Sequence, residues 1–260
     1  MAQDLIVIGG GEHSRVVIDA AQTRPDVWRV AGFVDPAPCR ETEALTGAPR
    51  LGGDEDLPAA LKRFPEARVV IGVGGPPALR ARIAASLKLL ADRWASVYHS
   101  TATVSLRAKI EPGAVVLAGA VVQIGAVVGE HGIVNTRAIL EHDCVIGACS
   151  HLAPGAVLGG GCVVGWNTLV GLGSRVRDHI RIGDGVTIGA GSVVVADVPD
   201  GQTVVGVPAR PIGAAREDVN IHELCIPPTA TLHEAMAVIA RGRKMIALVT
   251  DPDLRLLGVI

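Results

Sequence analysis

Aromatic rings are nearly missing from this chain, whose 260 residues include 2 Phe, 1 Tyr and 3 Trp. So few rings cannot furnish the stacking platforms on which single-stranded nucleic acid is held. Charge of either sign is also not in excess: 24 Lys and Arg oppose 26 Asp and Glu, which leaves no general basic footprint. The apolar runs fall far short of the ~20 residues that a membrane-spanning helix needs. Met1–Asp4 lacks the positive segment of a secretory signal. Cys39, Cys144, Cys149, Cys162 and Cys225 form no CxxC pair, and an odd number without framework spacing suits a reducing compartment. These absences predict a cytoplasmic protein with neither nucleic-acid nor membrane partners. Hydrophobic residues make up 49% and charged ones only 19%, so the chain can bury a sizeable core. A core with so few rings must be narrow and repetitive, or filled with β-branched side chains.

A period of six dominates the middle. Stepping by six from Val104 to Val194 meets 16 aliphatic residues without an insertion. Two places earlier stands a small residue, from Ala102 through Cys144, Ser150, Cys162 and Thr168 to Ser192, with Ile180 and Val186 as the exceptions. The place after the aliphatic is Gly at 129, 147, 159, 165, 171, 183 and 189. Neither the helical period nor strand alternation produces this pattern. It predicts a β-solenoid of short strands and tight corners, three hexads to a coil, with a little over five coils. The aliphatic fills the axis, the small residue lets the corner close, and the glycine is expected to supply turn conformations. Cys144 and Cys162 are 18 residues apart and so stack on successive coils. They read as small thiols filling a core row, or as a pair within disulfide reach.

The preceding segment alternates strand and helix. Strands are predicted at 4–8, 30–35 and 68–73, and helices over 15–23 and near 78–91, which implies a small parallel α/β sheet. The turn Gly9–Ser14 suits phosphate binding at a helix N-terminus, and Asp35 closes the second strand, where an acid reaches a ribose or base. Ser14 stands where a dinucleotide fingerprint has its third glycine. This argues against redox chemistry and leaves two readings, a site for one nucleotide diphosphate and a tight turn alone.

His142 follows the axial Leu140 by two places and lies between Glu141 and Asp143. A carboxylate beside an imidazole stabilises its protonated form and raises its basicity, as a general base near neutral pH requires. A solvated corner histidine is the plainer reading. His131, His142 and His151 also raise the question of a zinc site. Their separations of 11 and 9 are not whole coils of 18, so no metal is expected.

Together these segments resemble the hexapeptide-repeat sugar acyltransferases of the sialic acid O-acetyltransferase type. The resemblance rests on Gly9–Ser14 after the opening strand, Asn135–Gly147 with Glu-His-Asp, His151–Gly155, and the ending Val205–Ile212. It implies a Rossmann-like sugar-nucleotide-binding domain over 1–97, then a left-handed parallel β-helix over 98–212. It further implies a homotrimer with active sites between subunits. His142 then matches the general base, Asp143 the acid that tunes it, and Asn135 an active-site asparagine. His151 and Gly160 match positions near the acetyl-CoA thioester. Gly11, Glu12, His13 and Asp35 match the turn and strand end that hold the sugar nucleotide, and Gly74 in the later glycine turn joins them. Many relatives carry glycine in place of Glu12.

The chain continues past Ile212. Cys225–Met236 and Ile246–Ile260 resemble the first half of a CBS module, with an entry strand, a helix near 232–241 and a hairpin at 251–253. The match stops in mid-strand, as expected of a piece of a longer fusion. The plainer reading is a β-α-β tail packed on the trimer. Three functions follow. The first is acetyl-CoA-dependent N-acetylation of a nucleotide-linked 4-amino-deoxy sugar. The second is O-acetylation of a sialic-acid-like sugar, and the third is a non-catalytic nucleotide-sensing scaffold.

Overall fold

The computed structural model describes residues 2–212 and, beyond them, 225–231, 234, 248–250 and 256–259. Residues 1–212 form one compact unit and 213–260 a second. The first begins with β1 (Gln3–Ile8), α1 (Glu12–Gln22), β2 (Trp28–Val34), α2 (Arg40–Thr46) and β3 (Arg50–Gly52). It continues with α3 (Leu57–Arg63), β4 (Arg68–Ile71) and α4 (Pro77–Ser86). The four strands are parallel in the order β3-β2-β1-β4. Strand order therefore reverses at β1, and a doubly wound sheet takes its ligand beyond the strand ends at that point.

Two helices and a strand, α2, α3 and β3, go beyond what the sequence pattern predicts. β3 is only three residues long and half-buried, too short to alternate. The last helix ends at Ser86, and Lys88–Arg93 winds as a tighter 3₁₀ segment. α1 starts earlier than expected, at Glu12, because Gly11 is its N-cap.

Short parallel strands follow, stacked into three sheets of a left-handed β-helix. The first face runs from Val97–Tyr98 through Ile133–Val134 and His151–Leu152 to Thr203–Val205. The second runs from Thr103–Val104 to Val193–Val194, and the third from Lys109–Ile110 to Arg181–Ile182. Partners across coils are 18 residues apart, as in Ile133 with His151. The last coil is shorter, pairing Thr187 with Thr203. The aliphatic of each hexad packs along the axis with the small residue two places before it. A column this narrow is filled by aliphatic side chains, which explains the shortage of aromatics.

The glycine expectation needs correcting. Gly129, Gly147 and Gly165 have no positive φ. The left-handed residue lies three places before the aliphatic instead, at Gly113, Gly125 and Gly161, and also at His131 (φ 56°), Asp143 (φ 59°) and Cys149 (φ 57°). Glycine after the aliphatic answers a different need. A side chain at Gly147 would stand 2.5 Å from the amide nitrogen of Trp166 on the next coil. That place is bare because the coils approach closely there.

The polar small residues do more than fill space. Ser150 Oγ donates to the Gly165 carbonyl (2.6 Å) and accepts from Thr168 N–H (2.9 Å). Thr168 repeats both bonds one coil on, to Gly183 O and from Val186 N–H. Cys144 and Cys162 Sγ each donate to the carbonyl 15 residues ahead, at 3.0 Å. Both thiols are free and buried. Small donors thus stitch coil to coil inside the core.

In the second unit Cys225–Ile226 pairs parallel with Leu248–Thr250, which pairs antiparallel with Leu256–Val259. Thr231 and Glu234 cap one another, Thr231 N–H donating to Glu234 and Glu234 N–H to Thr231 Oγ1. Most of the predicted helix over 232–241, and the hairpin turn at 251–253, lie outside the described residues. Among those described, no helix is long and apolar enough to cross a membrane.

Candidate active site

Two places in the first unit concentrate polar chemistry. The first lies past the ends of β1, β2 and β4, where a cleft of about 450 Å³ is lined by Gly11, Glu12, His13, Ser14, Asp35 and Gly72–Gly75. Its walls come from close packing. A side chain at Gly10 would meet the Phe33 ring at 2.5 Å. Ser14, in place of the third glycine, donates to Gly72 O (2.9 Å) and pins α1 to the end of β4. Asp35 accepts from Gly10 N–H (2.7 Å) and Ala37 N–H (2.8 Å), so its carboxylate also shapes the turn. Glu12 is exposed in the first turn of α1, where an acid favours the helix dipole and competes with an anion for the same amides.

The second place is the corner between the second and third faces. His142 and Asp143 stand there, with side chains 55% and 72% exposed. His142 Nδ1 lies 2.9 Å from Asp143 Oδ2. This bond above all, with the charges of Asp143 and Glu141, raises the His142 pKa against the opposing effect of desolvation. With Nδ1 donating to the carboxylate, Nε2 is left as the basic nitrogen. Glycines on the neighbouring coils cradle the pair. A side chain at Gly160, one coil on, would stand 2.5 Å from His142 Nε2, and one at Gly125, one coil back, would collide with the Asp143 carboxylate. Gly160 N–H donates to no group among the described residues.

Asn135 and His151 lie elsewhere, at the buried edge of the first face. Asn135 Nδ2 is 2.9 Å from His151 Nε2. The His151 ring centroid is 6.1 Å from that of His13, so this pair adjoins the glycine cleft rather than His142. Within one chain the predicted residues therefore form two groups on different corners: His142, Asp143 and Gly160, and apart from them Asn135, His151, His13 and Gly74. His131 stacks edge-on against Trp94 at 4.5 Å, buried and away from His142. Among the described residues no three His, Cys, Asp or Glu gather closely enough to hold a metal ion.

Gly125 and Arg80 escape the sequence reading. Gly125 has a signal in the spacing, since it precedes Asp143 by one whole coil of 18. Arg80 looks like any exposed helix cation, and only the fold shows it buried.

Residues 4–87 match the family described as the PglD N-terminal domain. The acetyltransferase domain of PglB from Neisseria gonorrhoeae superposes with a TM-score of 0.73 at 36% identity, over 81% of this chain and 100% of that one. The chain belongs to the hexapeptide sugar N-acetyltransferases that use acetyl-CoA. A second structure of the same domain, in complex with acetyl coenzyme A, is 35% identical, over 82% of this acetyltransferase and 100% of that chain, with TM-score 0.73. PerB from Caulobacter crescentus, in complex with CoA and GDP-perosamine, is 33% identical over 82% of this acetyltransferase and 99% of that chain, again at 0.73. No curated protein matches this acetyltransferase. The CBS resemblance of its last residues finds no support in these matches.

Proposed function

We propose that the enzyme transfers the acetyl group of acetyl-CoA to the amine of a nucleotide-linked 4-amino-deoxy sugar, with His142 as general base. The exposed His142–Asp143 pair beneath the bare Gly160 carries this reading. The acceptor nitrogen attacks the thioester carbonyl while His142 Nε2 takes its proton. Charge on the carbonyl oxygen falls to an N–H that has no partner among the described residues, that of Gly160. The C–S bond then breaks, and CoA leaves as a thiol with the proton His142 held. No covalent enzyme intermediate enters. The glycine cleft takes the nucleotide, through backbone amides with His13 and Asp35 rather than through stacked rings. PerB, crystallised with CoA and GDP-perosamine, supports an amino-sugar nucleotide as acceptor.

The separation of Asn135 and His151 from His142 supports a homotrimer, in which the Asn135 edge of one copy faces the His142 edge of the next. Residues 1–97 then hold the acceptor, 98–212 transfer the acetyl group, and 213–260 form an extension. Thiol release on a panel of UDP-, GDP- and dTDP-linked 4-amino sugars, with sialic-acid-like hydroxyl acceptors beside them, tests the proposal. Release with at least one of them is expected. Release only with sialic-acid-like hydroxyl acceptors would move the activity to O-acetylation, and none with any sugar would leave a scaffold.

A further inference from the structure

We propose that Arg80 is a positioning residue that holds the glycine cleft in register with the His151 edge of the β-helix. This rests on reading the cleft as the sugar-nucleotide site. Arg80 extends from α4 and is 1% exposed, among the largest fully buried side chains. It forms no ion pair among the described residues. Burying a cation without a counterion is costly, and burial pulls its pKa down to about 10. Such a group persists where its fixed fork of donors is used.

Here the fork meets three backbone carbonyls. Nε donates to His131 O (3.1 Å), Nη1 to Val73 O (3.2 Å) and Nη2 to Cys149 O. His131 and Cys149 occupy the same left-handed place on successive coils. Val73 leads into the Gly74–Gly75 turn that walls the cleft. One guanidinium therefore ties the cleft wall to two coils of the column. A lysine carries the charge but lacks the planar fork that spans all three.

The surroundings fit positioning rather than ligand binding. Burial, then the Arg80 charge, lowers the pKa of His13 and His131 to about 4 and of His151 to about 3, with His13 also acting on His151. Cys149 is the other titratable group beside the guanidinium, and burial raises its thiol pKa. His13 Nε2 is buried without a hydrogen-bond partner among the described residues. His13 in the cleft lining and His151 beside it are thus neutral near pH 7, and the Arg80 cation is committed to the backbone.

Steady-state kinetics of Arg80→Lys and Arg80→Met, with nucleotide sugar and acetyl-CoA varied separately, test the idea. Moving the cleft wall weakens its contacts with the sugar nucleotide, so KM for that substrate should rise about tenfold in both, as a loss of about 1.4 kcal/mol in binding gives. KM for acetyl-CoA should rise less. Amide hydrogen exchange at residues 73–75 should quicken in both variants. By NMR titration His13 and His151 should stay depressed in Arg80→Lys and move up in Arg80→Met. Arg80→Lys with unaltered sugar KM and unaltered exchange would overturn the proposal, as would equal rises in both KM values. Should Arg80→Met fail to fold, Arg80→Lys alone decides. If the wild-type enzyme acetylates no nucleotide sugar, the functional reading falls separately, while exchange and calorimetric binding of UDP, GDP and dTDP still judge the clamp.

Discussion

At the scale of single residues, the proposed chemistry depends on what surrounds one exposed imidazole. General base catalysis contributes roughly 10²–10⁴-fold, so His142→Ala should lose about that much turnover yet bind acetyl-CoA normally by calorimetry. Near-normal turnover would remove His142 from the role. Asp143 raises the His142 pKa, and the base must be neutral to act. Activity should therefore fall as the pH drops through that raised value. Asp143→Asn keeps a residue type that tolerates φ 59° and removes the charge. Its acid limb should shift to lower pH and its maximal rate should drop, and an unmoved limb in the pH–rate profile would show Asp143 to be only a turn residue. Gly125→Ala adds a side chain where the Asp143 carboxylate lies, at φ 74°. It should lower kcat more than it raises either KM.

At the scale of elements, the column is far more legible in the sequence than the sheet before it. Sixteen aliphatics at one spacing name their own axis, and each stands where that spacing puts it. The strands β1, β2 and β4 are visible as apolar runs. By contrast β3 is hidden by its brevity, and α2 by a mostly exposed surface that includes Leu45. The site is legible in part. His142 stands out by its acidic neighbours, while Gly160 enters by resemblance, although it lies one whole coil of 18 beyond His142. Asn135 and His151 are identified only by resemblance, because their pairing and their nearness to His13 depend on how the sheet packs against the column. The stitching of the core by hydroxyls cannot be read from size alone. Ser150→Ala strips a partner from both Gly165 O and Thr168 N–H. Leaving buried groups unpaired costs about 1–3 kcal/mol, a loss that denaturant unfolding should show. An unchanged midpoint would reduce the hydroxyl to a space filler.

At the scale of the whole molecule, the buried imidazoles link stability to pH. His13, His131 and His151 have pKa values of about 4, 4 and 3 in the fold against 6.5 when unfolded. Below pH 6.5 the unfolded chain binds protons that the folded one refuses, so the stability these groups confer is full above 6.5 and drains away as the pH falls toward 4. The melting temperature should already fall between pH 6.5 and about 5, where most carboxylates are still ionised, and a flat profile there would contradict it. A second test concerns assembly. If the Asn135 edge of one copy serves the His142 edge of the next, co-expressed His142→Ala and Asn135→Ala chains should recover activity that neither has alone. The coil itself has a further consequence. Partners repeat every 18 residues, and each layer adds about 4.8 Å. With the cleft as the proposed acceptor site and His142 as the proposed base, one added layer within the regular coils would shift the two by that step and keep the base on its corner, whereas part of a layer would turn it away.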